Sequence, residues 1–221
     1  LSFTLYPALY GIYISLTNLH FGYSSWGFIG LDNYVRLLTW PPLGKVSLNT
    51  FVFVISVVIL QVSLGLGIAL VLNNRIFGSR FMRGVSILPW VIPAVVVGLL
   101  FQQLFSGSRL GIMNNLVSMF GVPQRAWLSN PAEAMVIMIL ALAWRGVPLS
   151  IILQLGGLQT IPRELYEAAR VDGASKWQAF RHITLPSLKP ILMINLIMAT
   201  SGTLNHVDIP LSLTGGGPNR A

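Results

Sequence analysis

Residues 160–190 read TIPRELYEAARVDGASKWQAFRHITLPSLKP, a charged and helix-patterned stretch set between two long apolar runs. Thr160 is placed to cap a helix and Pro162 to open one. Leu165, Ala168 and Ala169 recur at helical spacing, the alanines keep one side thin, and Gly173 can turn the chain sharply at the helix end. A helix of about ten residues is marginal alone in water, so it should gain stability by packing against something. Beyond the turn, Trp177, Phe180 and Ile183 give a second short helix an apolar face until Leu185-Pro186 leads into the next apolar run. The expectation is an elbow of two short helices. Physics leaves two uses open: insertion into a groove on a partner protein, or a helix lying in lipid headgroups with Arg163, Arg170 and Lys176 on anionic lipid.

Working outward, a spanning helix needs about 20 largely apolar residues, and 1–16, 51–72, 85–105, 132–153 and 190–204 are candidates. Arg75, Arg80 and Arg83 lie in one connection, and Arg163, Arg170, Lys176, Arg181 and Lys189 in another, so two alternate connections hold eight of the fourteen cations. Positive charge gathers on the cytoplasmic side. Both connections are therefore expected inside, and Asp32, Gly111 and Gly216 outside. With an apolar start and no sixth segment, the sequence is expected to be truncated at both ends, holding five of about six core helices. Pro89 and Pro93 should kink the third segment, and Gly65 and Gly67 suit close helix approach in the second.

Composition agrees. The chain is 54% hydrophobic and 9% charged, with a mean hydropathy of +0.71, too little charge to solvate a globular surface. The net charge of +8 falls between apolar runs without the basic stripe of a nucleic-acid binder. Without cysteine there are no disulfides or thiolate sites, and His20, His182 and His206 have no metal-ligand spacing. These features give an all-α polytopic membrane helix bundle, residues 1–221 forming a transmembrane domain.

Glu167-Ala168-Ala169, Gly173 after three intervening residues, then Ile183 and Leu185-Pro186 resemble the EAA loop of ABC importer permeases. Gly30-Leu31-Asp32-Asn33-Tyr34, Leu88-Pro89, Pro93, Gly111 with Asn114, Leu158-Gln159 and Ile161-Pro162 are similar to carbohydrate importers, of maltose or glycerol-phosphate type. Asp208, Leu213-Thr214 and Gly216-Gly217-Pro218 resemble their first permease subunit. The resemblance implies a type I importer transmembrane domain in a prokaryotic cell membrane. It also implies a second permease, two cytoplasmic ATPase subunits docked on the EAA loop, and an extracytoplasmic binding protein delivering a sugar or polyol. Glu167, Ala168, Ala169, Asp172, Gly173 and Trp177 would couple to the ATPase, and Gly215, Gly216, Gly217 and Pro218 would face the binding protein. No cofactor is implied on this chain. ATP and Mg would act on the partner ATPase, in keeping with the absence of a G-x-x-x-x-G-K-[ST] phosphate loop here. The rival readings are an ion-coupled secondary transporter, for which no Asp or Glu lies well inside the spans, and a non-transport docking scaffold.

Arg145 stands about thirteen residues into the fourth segment, where a charge costs about 2.5–3.5 kcal/mol even on translocon scales. Glu133, twelve residues away, is about 18 Å off along the same helix. Three partners are open: an acid on the partner permease, carbonyls freed near Pro148, or substrate. In the last case Trp144 would stack on a sugar ring, Gly146 would leave room, and Asn195, Asn205 and His206 would complete the path.

Overall fold

The computed structural model describes residues 2–19, 26–74, 79–108 and 111–216. Arg75, His20, Gly217 and Pro218 lie outside these. Among the described residues the chain is all-α, apart from one isolated bridge between Thr17 and Phe28. Two compact units divide at residue 49.

In the first unit, α1 (Ser2–Ser15) runs for 14 residues, about 21 Å against an apolar bilayer core of ~30 Å. Gly30, with φ +61, turns the chain into α2 (Asp32–Leu38). Asn33 then donates through Nδ2 to the carbonyls of Ser15 and Thr17, both at 2.8 Å, and the Tyr34 hydroxyl pairs with Ser15 Oγ at 2.7 Å. The Gly30–Tyr34 motif thus fastens the connection to the end of α1.

The division falls within α3 (Leu43–Asn73), an apolar helix of 31 residues long enough to cross a membrane. The third segment is a broken one: α4 (Ser79–Val91) and α5 (Ala94–Leu104) meet at 94°. Pro93 makes this break, because it has no N–H and its ring drives the preceding residue out of the helical region. Its own extended backbone (φ −55, ψ 139) starts α5. Pro89 stays inside α4, so one of the two expected kinks is the bend and the other is absorbed.

After α6 (Ile112–Ser118) and a 3₁₀ turn, Trp127–Ser129, comes α7 (Pro131–Gln159). Asn130 caps it by accepting the Ala132 N–H at 2.9 Å, and Pro131 occupies the first turn, where no N–H is needed. Thr160 finishes this helix, donating to the Gly157 carbonyl at 2.8 Å, instead of capping the next one as expected. Helix α7 is the axis of the bundle, packing on α4, α5, α10 (Leu185–Asn205) and α11 (Asp208–Thr214). Val57, Val97, Ala141, Leu142 and Ile209 form one core and Ala69, Leu72, Ile151, Leu158 and Leu188 another. Gly65 lets α3 lie against Ser150 of α7, while Gly67 faces open space, so only the first of the two glycines serves close approach.

The stretch after α7 differs from the expected pair of separate short helices. A first short helix, α8 (Arg163–Val171), forms as expected. The second, α9 (Lys176–Ala179), passes through a π turn, Phe180–Thr184, directly into α10, and Lys176–Asn205 runs as one 30-residue helix long and apolar enough to cross a membrane. Leu185-Pro186 does not interrupt it. In the wide turn the Leu185 N–H reaches the Phe180 carbonyl five residues back, which relieves the clash a proline ring makes with the carbonyl four residues before it.

Candidate functional site

Helix α7 carries Arg145 into a crevice of about 70 Å³ that Gln61, Gly146, Leu149, Thr203 and His206 also line. The Arg145 Nε donates to the Ile92 carbonyl at 3.3 Å, and Nη1 lies 3.4 Å from His206 Nε2. A guanidinium has no acceptor, so His206 accepts and holds its own proton on Nδ1. His206 sits one residue beyond the α10 span, and burial, then the Arg145 cation, hold its pKa below the ordinary 6.5, against an opposing pull from Asp208. The partner of the intramembrane charge is thus a carbonyl freed at the Ile92-Pro93 break, together with an imidazole. Carbonyls near Pro148, one of the three partners left open, take no part in the Arg145 contacts among the described residues.

Gly146 lies against Gln61: a methyl there would stand 2.5 Å from the Gln61 Cδ. Gln61 is 6% exposed and its side-chain amide has no hydrogen-bond partner among the described residues. It is the one amide in residues 51–72, and a polar group in mid-span is a functional signal by default, so sequence alone offered it. Gly202 and Thr203 carried no comparable mark.

The other expected path residues are elsewhere. Trp144 is next to Arg145 in sequence but about 100° round the helix. It lines a separate apolar groove of about 430 Å³ with Leu64, Phe101 and Pro148, its ring 5.9 Å from that of Phe101. Asn195 is fully buried and accepts from Ser150 Oγ at 3.1 Å. Asn205 is exposed and donates to the Ser201 carbonyl at 2.8 Å. At 70 Å³ the crevice holds about two waters, far below the ~300–1,000 Å³ of small-molecule sites.

The elbow forms the second feature. Gly173 has φ +78, and the Gly173 and Ala174 N–H groups return to the carbonyls of Arg170 and Ala169 at 3.1 and 2.8 Å, closing α8. Ser175 then opens α9 with a reciprocal cap: Gln178 Oε1 accepts the Ser175 N–H at 2.7 Å, and Ser175 Oγ accepts the Gln178 N–H at 3.3 Å. The Tyr166 hydroxyl pairs with Thr184 Oγ1 at 2.9 Å, tying α8 to the π turn. Glu167, Ala168 and Asp172 are exposed, Ala169 half-buried. Val171 is 88% and Trp177 66% exposed, the Trp177 ring 5.5 Å from Phe180. The described residues contain one ion pair, Arg125 to Glu133, so Glu167 is not spent on Arg163 or Arg170. Beyond α11, Gly215 and Gly216 take φ +65 and +103.

The chain is 39% identical over 194 residues to the trehalose/maltose transport system permease protein MalF of Thermococcus litoralis, covering 88% of this chain and 65% of that protein. It is 36% identical over 225 residues to the multiple sugar-binding transport system permease protein MsmF of Streptococcus mutans, covering 99% of this chain and 75% of that protein. The chain therefore spans 65% and 75% of these relatives' lengths. The crystal structure of a bacterial ABC transporter involved in the import of the acidic polysaccharide alginate shares the fold, with a TM-score of 0.77 at 23% identity over 99% of this chain and 82% of that one. Residues 61–220 match the family described as binding-protein-dependent transport system inner membrane component, and this chain belongs to that family of non-catalytic, multi-pass membrane proteins.

Proposed function

We propose that this chain is one permease subunit of an ATP-driven importer of sugars or related polyols. It forms half of the substrate pathway with a second permease, receives substrate from an extracytoplasmic binding protein, and docks through its elbow on one of two cytoplasmic ATPase subunits that bind ATP and Mg. The observation that carries this reading is the continuous helix Lys176–Asn205, which starts in the elbow and ends at the crevice residue His206. The sugar-transport permeases among its relatives support the substrate class. Exposed Glu167, Val171 and Trp177, beside Gly173 and Asp172, suit a helix-in-groove contact with the ATPase. On this reading the ends of α4 around Arg83 and of α8 around Arg170 are cytoplasmic, and Gly216, with Gly215, Gly217 and Pro218, faces the binding protein.

Arg145, Gly146 and His206 border the substrate path, joined by Gln61 and Thr203. The small crevice is half of a cavity that the second permease completes. Arg145 offers donors to sugar hydroxyls, and Gln61 offers an amide whose hydrogen bonds are not already made. The deciding experiment is uptake of radiolabelled sugar into vesicles containing the co-purified complex. Vanadate-sensitive uptake with a co-purifying ATPase is expected. Uptake that resists vanadate and collapses with a protonophore would overturn the reading.

A further inference from the structure

The connection between α5 and α7 is organised by one side chain. Asn114 is fully buried, and its Nδ2 donates to the carbonyls of Ser106 and Arg125, both at 3.1 Å. Its Oδ1 accepts the Arg125 N–H at 3.3 Å and the Trp127 indole N–H at 2.8 Å. Both donors and both lone pairs are used. Gly111, the residue before α6, permits this: a methyl there would collide with the Ser106 carbonyl. Ser106 is two residues beyond the end of α5, and Trp127 four before the start of α7. The short helix α6 is therefore pinned at the level where one membrane segment ends and the next begins.

The face turned away from this pin is apolar. At 100° per residue, Ile112, Leu116 and Met119 lie within about 40° of the point opposite Asn114, and Phe120 follows at the helix end. Met119 is 79% and Phe120 86% exposed, while Ile112 and Leu116 are about half exposed. Asn115 and Ser118 flank this stripe on one side. Residues 111–122 contain no charged residue. The first charge beyond them, Arg125, is already committed to Glu133 at 3.6 Å and to the face of Trp127 at 5.1 Å.

From this placement we infer that α6 is an interfacial membrane anchor, its Ile112, Leu116, Met119 and Phe120 stripe seated in the boundary between lipid headgroups and acyl chains. A surface that met a soluble partner in a transient encounter would carry the polar rim typical of such contacts. An uncharged apolar stripe fixed at the depth of two span ends matches lipid. The seat holds the α5 end of the broken segment at constant depth in the bilayer. The inference needs only that the chain crosses a membrane, and it stands apart from the substrate and ATPase reading.

Residues 1–221 contain no cysteine, so nitroxide labels at Leu116→Cys, Phe120→Cys and Ser118→Cys report single positions when the rest of the complex is made cysteine-free. The co-purified complex is reconstituted in vesicles of phosphatidylethanolamine and phosphatidylglycerol, and spin relaxation is measured with oxygen and with a water-soluble nickel chelate. The ratio of oxygen to nickel accessibility should be at least about threefold higher at positions 116 and 120 than at 118, as for side chains buried ~5–10 Å into the boundary. A bimane label at Phe120→Cys should also be quenched by acyl-brominated lipid. Nickel access at 116 and 120 equal to that at 118 overturns the inference. So does shielding from both reagents, which would assign the stripe to a protein partner, with shielding only on adding binding protein naming that partner.

Discussion

Replacing Gly65 with alanine tests the central helix crossing. The added methyl would stand 2.5 Å from the Ser150 Cβ, 3.2 Å from the Ser150 carbonyl carbon and 3.4 Å from the Ile151 nitrogen. Ordinary carbon contacts lie at about 3.5–4.0 Å, so α3 and α7 must part by about 1 Å. Ser150 has no easy retreat, because two of the three nearest atoms belong to the backbone and its Oγ is bonded to buried Asn195 at 3.1 Å. Parting the helices also stretches the bond from Gln154 Nε2 to the Val62 carbonyl, now 3.1 Å, beyond hydrogen-bonding range. Overpacking costs about 1–3 kcal/mol and the lost bond about 0.5–1.5 kcal/mol. The better helix propensity of alanine returns about 1 kcal/mol. The net is a destabilisation of about 0.5–3.5 kcal/mol, or a fall in Tm of about 1–14 °C at about 2–4 °C per kcal/mol for a chain of this size.

Gly67 supplies the control, since nothing lies within 4 Å of a methyl built there. Gly67→Ala should be neutral or more stable by up to about 1 kcal/mol. Thermal unfolding of both variants in the same detergent, followed by intrinsic fluorescence, reads the difference. Equal Tm values for the two variants would show that α3 and α7 do not cross at Gly65.

Arg145→Ala should lower the kcat/KM of uptake by about 10- to 100-fold, the worth of hydrogen bonds from a charged donor, with assembly and basal ATP hydrolysis kept. Unchanged uptake kinetics at normal expression would take Arg145 out of the path. Arg145→Lys should not restore uptake, because an ammonium lacks the planar fork that reaches the Ile92 carbonyl and His206 together. The folded pKa of His206 lies below its ordinary 6.5, so its acceptor contact with Arg145 is fully present above that value and is lost as pH falls through the lower folded pKa. Uptake by the wild type should therefore drop in acid more steeply than uptake by His206→Gln, and superimposable pH profiles would refute this. Gly173→Val places a β-branched residue at φ +78, a strained conformation costing at least about 1–2 kcal/mol. ATPase co-purification should fall while membrane insertion persists, and full co-purification would count against the elbow as the docking element.

The spans and the elbow were legible in sequence because their signals are one-dimensional: run length, cation placement and the spacing from Glu167 to Gly173. The crevice was only partly legible. Trp144, Arg145 and Gly146 are consecutive, yet a helix turns Trp144 into another groove, and span-centre depth alone does not say which face a residue takes. Asn195 and Asn205 have the right chemistry, but Asn195 is fully buried with its Oδ1 on Ser150 and its Nδ2 without a partner among the described residues, and the Ser201 carbonyl takes the Asn205 amide. Arg145 finds its partner at Ile92, 53 residues earlier, and no local pattern announces a carbonyl. Proline does so indirectly, since Pro93 predicts a break without saying who fills it. The π turn was hidden because Leu185-Pro186 reads locally as a boundary, and only a widened turn before it makes the helix continuous.

That continuity links the two features mechanically. A helix of 30 residues is about 45 Å long, with the Tyr166–Thr184 bond gripping it near one end and His206 at the other. On the proposed coupling, ATP-driven closure of the ATPases pulls on α8 and tilts this helix. A tilt of about 5° about the elbow end would carry His206 by about 4 Å, more than enough to break a 3.4 Å contact with Arg145. Arg145 itself rides on α7 and stays hydrogen-bonded to the Ile92 carbonyl at the break between α4 and α5. The Nη1 donor that meets His206 would thus be exchanged between protein and substrate by the state of the elbow, which gives the small crevice a reason to be closed in one state and open in another. Spin labels at Arg181→Cys and Val207→Cys, each paired with one at Ala132→Cys, measure this. Distances that change together on adding ATP and vanadate support a rigid lever, and a change confined to the 181 label would place the bending at the π turn instead.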